Sequence, residues 1–164
     1  MKDPRTARLA QGAVIAALYV ALTIVFAPIS FREVQVRIAE ALTILPLFSG
    51  AAVPGLYIGC LLANFIGGAA VPDIIFGSLA TLIGAVGTRM LRNKKPVLGV
   101  IPPILSNTLI IPFVLRYAYA VELPIPVLML SIFIGEALSC GVLGMILYLA
   151  LNKRRSAIFR HEDK

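Results

Sequence analysis

Six polar side chains stand out from a strongly apolar chain, and each can do recognition chemistry: Arg37, Glu40, Asn64, Asp73, Asn107 and Glu136. Arg37 and Glu40 head the stretch 34–48, VQVRIAEALTILPLF, whose remainder is apolar. With Glu33 added, Glu33, Arg37 and Glu40 fall at i, i+4 and i+7, one face of a helix if the segment is helical. A polar stripe of this kind in a membrane span usually has work to do there. Simpler readings stand beside the functional one. Arg37 and Glu40 can form an i, i+3 ion pair at an interface. Asp73 can be a helix N-cap after Pro72. Asn64 and Asn107 can be hydrogen-bonding glue between helices. Glu136 is harder to dismiss: it alone breaks the apolar run 126–151, and a lone carboxylate at mid-span is costly, so a functional role is expected of it.

The elements that must hold these residues are membrane spans. The 164 residues are 59% hydrophobic and only 14% charged, with a mean hydropathy of +0.93. Ordinary soluble domains carry about a quarter charged residues, so the composition implies an all-α integral membrane protein, expected as one domain over 1–164. The apolar runs are helix-length and rich in Leu, Ala and Gly, which excludes a fibrous reading. A net charge of +7 would suggest nucleic acid in a soluble protein; in a membrane protein it reports topology, and no nucleic-acid partner is expected. Cys60 and Cys140 lie inside apolar runs and read as small buried residues. The basic N-terminus is not followed by a small-residue cleavage site, so no removable signal peptide is expected.

Six spans are expected, at 9–29, 34–48, 53–66, 73–91, 97–115 and 126–151. Ala13, Ala17 and Ala21 recur every four residues in the first and make a smooth ridge that another helix can approach. Gly55, Gly59 and Ala63 make a second such face in the third. Pro102, Pro103 and Pro112 are expected to interrupt the fifth, and Tyr117 and Tyr119 fit a headgroup-level belt. If both termini share one side, that side receives 12 of the 15 Lys and Arg residues, leaving Arg32, Arg37 and Arg116 for the other. This is the positive-inside pattern, so both termini are expected in the cytoplasm, with 1–8 and 152–164 as cytoplasmic ends. A five-span count would put the basic 89–95 loop and the basic tail on opposite sides. On six spans the polar exceptions converge toward the outer half, with Glu136 roughly 15 Å deep.

Several chemistries are missing. The one histidine, His161, is in the tail, and the sequence holds no HExxH, Walker A loop or GxSxG. Neither an enzyme nor a resident metal or cofactor is expected. An assembly subunit without a ligand would leave Glu136 unexplained. Energy for active transport would have to come from partners.

A small six-span protein with a basic N-terminus and an alanine-spaced first helix resembles the substrate-binding S components of energy-coupling factor (ECF) transporters. More narrowly, VQVRIAEALTILPLF, IIFGSLATLIGAVGT, PPILSNTLIIPF and GEALSCGVLG are similar to the QueT family, over roughly residues 8–152. The resemblance implies a six-helix bundle with a pocket near the outer face that imports a queuosine precursor. It implies a complex with a transmembrane coupling protein and two ATPase subunits, with Ala13, Ala17 and Ala21 contacting the coupling protein. A 7-deazaguanine suits the polar set. Its N–H and exocyclic amine want a carboxylate, its carbonyl wants an amide or Arg donor, and an aminomethyl group at C7 wants a second carboxylate. Glu40, Asp73 and Glu136 supply the acids, Arg37, Asn64 and Asn107 the donors, and Tyr57, Phe65, Phe76 and Phe113 are candidates to stack on the base. Glu136, as the deepest acid, is expected to meet the purine edge. The alternative within the same fold is another small vitamin, such as a thiamine or pyridoxine relative.

Overall fold

A computed structural model of the chain describes residues 3–26 and 37–154. Glu33, Pro28 and most of the tail lie outside the described residues. The described chain is helical throughout, in six helices. They are α1 (Pro4–Val25), α2 (Ile38–Leu47), α3 (Ala52–Ile66), α4 (Val71–Met90), α5 (Pro96–Ala118) and α6 (Ile125–Asn152). Helices α1, α4, α5 and α6 are long and apolar enough to cross a membrane; α2 and α3 are shorter. Apolar side chains such as Leu9, Met90 and Leu130 stay largely exposed around the outside. In lipid such a surface needs no cover, and helices are held together by close packing and hydrogen bonds instead.

The middle of the bundle is α2. Every residue from Ala39 to Leu47 is buried, including Glu40 and Thr43. It is wound as a 3-10 helix, not the α-helix the sequence suggests. At about 2 Å per residue its ten residues reach only about 20 Å. Three residues per turn eclipse side chains at i and i+3. Glu40, Thr43 and Pro46 therefore line one edge, with Arg37 just ahead in extended backbone (φ −86°, ψ 96°). The expected α-helical face through Arg37 and Glu40 is replaced by this three-residue repeat. The Thr43 hydroxyl donates to the Glu40 carbonyl at 2.6 Å, a local bond that stabilises the tight turn.

Glycines let the neighbours close in. A Cβ on Gly55 would lie 2.7 Å from the Gly12 carbonyl oxygen, and one on Gly59 would lie 2.8 Å from the Tyr19 Cβ. The α3 face expected at Gly55, Gly59 and Ala63 is therefore the seat of α1. Gly84 and Gly87 of α4 pack in the same way on Pro103 and Pro102 of α5. Those two prolines do not interrupt their helix: they occupy its first α-helical turn, where a missing N–H costs nothing. Helix directions alternate. Ser49, after α2, bonds Gln11 near the start of α1 at 2.9 Å. Arg89, at the end of α4, bonds the Pro46 carbonyl at 3.0 Å, and Phe48 stacks on Tyr148 near the end of α6.

Candidate functional site

The structure brings all six sequence-derived site residues into one buried cluster, none more than 5% exposed. The Arg37 guanidinium faces Asp73 Oδ2 at 3.5 Å. The Asn64 amide donates to the Asp73 carbonyl at 3.3 Å. Glu40 of α2 and Glu136 of α6 bring carboxylate oxygens within 4.8 Å of one another, and Asn107 of α5 stands beside both. The cap reading of Asp73 is displaced, and Arg37, which also acts electrostatically on Glu40, finds a second carboxylate. Arg37 pairs with Asp73 from another helix, and the N-cap of α4 is Ala70, with Asp73 one turn inside.

The cluster has two halves. The first holds Arg37, Asp73 and Tyr119. Tyr119 donates to Asp73 Oδ2 at 3.0 Å and accepts from the Ala70 N–H at 3.0 Å, closing the end of α5 over the start of α4. Partial burial pushes the Tyr119 phenol above its ordinary pKa, so it remains a donor at neutral pH. Charge here is balanced, cation against carboxylate. Tyr119 therefore turns inward rather than standing in a headgroup belt, whereas Tyr117 is 77% exposed.

The second half is acidic. Two unit negative charges within 4.8 Å repel by at least about 3 kcal/mol at an effective dielectric near 20. Something with donors or positive charge must sit between them, or they must share a proton. Glu40 Oε1 accepts from the phenol of Tyr19 and from Thr81 at 3.2 Å, while Oε2 meets no hydrogen-bond partner among the described residues. Cys140 donates to Glu136 Oε2 at 3.1 Å, and Thr43 bonds Cys140 at 3.3 Å. Glu40, Glu136 and Cys140 form a grouping that can also hold an ion, which their distant positions conceal in the sequence. Directly after Glu136, residues Ala137–Leu143 are wound as a π-helix. Two irregular windings, the 3-10 helix α2 that carries Glu40 and the π-helical turn after Glu136, thus lie at this acidic pair, as such windings often do at functional sites.

Sequence reasoning missed Tyr19, Thr81, Cys140 and Tyr119. The clue for Cys140 was its place four residues after Glu136, one helical turn on. The proposed stacking residues are not drawn in. Phe65 is 69% exposed, Tyr57 is half-buried, and Phe76 and Phe113 line a separate apolar cleft of about 390 Å³ between α4 and α5. Phenylalanine can face lipid at no cost, so composition alone did not direct these rings. Ala13, Ala17 and Ala21 lie on the exposed side of α1, away from buried Ile15, Ala16 and Tyr19.

A model of the QueT transporter family matches residues 9–153. This chain belongs to the QueT transporter family. It is 35% identical over 85 residues to the queuosine precursor transporter QueT of Lactococcus lactis subsp. cremoris (strain MG1363). That alignment covers 51% of this chain and 50% of the relative, about half the length of each. No solved structure gives a significant match. QueT proteins are transporters, not enzymes, so the buried cluster is a candidate for binding rather than for catalysis. The bacterial relative and the apolar helices agree with a membrane protein of bacterial type.

Proposed function

We propose that this QueT-family chain is the substrate-binding S component of an ECF-type importer, taking up a queuosine precursor from outside the cell. The observation that carries the reading is the pair of buried carboxylates, Glu40 and Glu136, facing one another within 4.8 Å beside Asn107. A 7-deazaguanine presents adjacent N–H donors that such acceptors take up, and its carbonyl suits the Asn107 amide. Acids outnumber the arginine of the cluster, which favours a neutral or cationic ligand. Arg37, Asn64 and Asp73 complete the binding set toward the outer end.

The bundle sits in the membrane as one domain of six spans with both termini in the cytoplasm. Of the ten Lys and Arg among the described residues, Arg5, Arg8, Arg89, Arg92, Lys94, Lys95, Lys153 and Arg154 gather at one end, which supports that orientation. The exposed ridge of Ala13, Ala17 and Ala21 docks the coupling protein, and ATP hydrolysis occurs in two partner subunits. Its smoothness and exposure support this, since small side chains let helices approach closely.

The test is calorimetric titration of the purified protein in detergent. The panel is guanine, 7-cyano- and 7-aminomethyl-7-deazaguanine, queuine, thiamine and riboflavin. Binding of one or more deazaguanines with guanine rejected is the expected result. A response to a vitamin alone would keep the subunit role and replace the substrate. Silence to the whole panel from folded protein would overturn the binding role.

A further inference from the structure

Glu40 lies on α2, where every residue from Ala39 to Leu47 is buried. Its carboxylate is held asymmetrically. Both described side-chain hydroxyls that bond it, those of Tyr19 from α1 and Thr81 from α4, donate to the same oxygen, Oε1. The other oxygen, Oε2, is buried and meets no hydrogen-bond partner in bonding geometry among the described residues, with the Asn107 amide beside the carboxylate. A carboxylate has two oxygens and room for about four hydrogen bonds, so leaving one oxygen dry costs free energy unless something else fills it.

We infer that Tyr19 is a positioning residue for substrate binding: it anchors Glu40 Oε1, so that Oε2 is presented to a donor of the ligand. This rests on the transport reading above. Thr81 plays the lesser part. Its single hydroxyl proton is shared among Oε1 and the Gly77 carbonyl, each at 3.2 Å, and Cys60 Sγ at 3.4 Å. Among the described residues Tyr19 has one acceptor for its hydroxyl, Glu40. Its ring is 1% exposed, and its Cβ is seated where any side chain at Gly59 would collide with it. The close α1–α3 contact therefore sets where the phenol points. A ring clamped at its base and bonded at its tip fixes Glu40 with little freedom to lose on binding. Tyr19 and the ridge of Ala13, Ala17 and Ala21 occupy opposite sides of one helix.

A double-mutant cycle tests this. Wild type, Tyr19→Phe, Glu40→Gln and the double variant are titrated with 7-aminomethyl- and 7-cyano-7-deazaguanine. Tyr19→Phe keeps the ring and should weaken binding about ten-fold. In the Glu40→Gln background the same change should cost less than about two-fold, because its route of action is already gone. A full penalty in both backgrounds, or none in either, would overturn the inference while leaving the transport reading intact. A folded wild type silent to both ligands would overturn the transport reading and the inference with it. Size-exclusion elution and far-UV circular dichroism establish folding. Should Tyr19→Phe fail to fold, the pair Thr81→Val and Thr81→Ser replaces it. Valine should weaken binding about three-fold and serine should restore it; equal losses in both would count against the positioning role.

Discussion

The two halves of the buried cluster follow opposite electrostatic rules. Around Arg37, Asp73 and Tyr119 the charges are matched and the bonds join the ends of α4 and α5. Around Glu40 and Glu136 two carboxyl groups face each other within 4.8 Å, an arrangement in which both cannot be charged cheaply without a bridging group. A matched set stabilises the protein alone. A mismatched set stabilises the protein only when something else is present. On the proposed binding role, the first half ties α4 to α5 at one end of the binding set, and the second half carries the acceptors that a ligand would meet.

Substitutions can break this contrast. The largest effect is expected in the matched half. Asp73→Ala removes the carboxylate that faces buried Arg37, and breaking such a pair costs about 3 kcal/mol. A melting temperature lowered by several degrees, with or without ligand, is the expected reading. A variant as stable as wild type would remove the distinction between the halves. A smaller effect is expected at Tyr119, which is 40% exposed. Tyr119→Phe loses the bonds to Asp73 and to the Ala70 N–H and should cost about 1 kcal/mol in stability. If it closes this end of the bundle, ligand should also dissociate several-fold faster in stopped-flow, at nearly unchanged affinity. Equal dissociation rates would confine Tyr119 to a structural role.

Much of the fold was legible because membrane spans announce themselves by length. The expected segments 53–66, 97–115 and 126–151 differ by only a few residues from Ala52–Ile66, Pro96–Ala118 and Ile125–Asn152. The winding of α2 was not legible. An all-apolar run buried on every side shows no amphipathic period, so 3.0 and 3.6 residues per turn look alike. In hindsight the spacing of Arg37, Glu40, Thr43 and Pro46 carries the three-residue repeat. The six polar residues of the buried cluster stood out in the sequence because a polar side chain in a membrane run is expensive. Their pairing was not, since Asp73 and Arg37 meet only through the packing of helices. Tyr19 was hidden for a further reason. Tyrosine is unremarkable in an apolar helix until its hydroxyl is seen to reach a carboxylate 21 positions away.

The measurement that bears most directly on the acidic pair is a melting curve of Glu136→Gln beside wild type, each with and without 7-aminomethyl-7-deazaguanine. Replacing one of two facing carboxyls by a neutral amide removes the repulsion, or the need for a shared proton, and removes an acceptor for the ligand. The account predicts that ligand-free Glu136→Gln melts at or above wild type, and that most of the ligand-induced rise is lost, matching a ten-fold or greater fall in affinity. A variant that melts several degrees lower without ligand, yet gains the full rise when ligand is added, would contradict it: Glu136 would then be a structural group, and the pair would not be where the substrate is held.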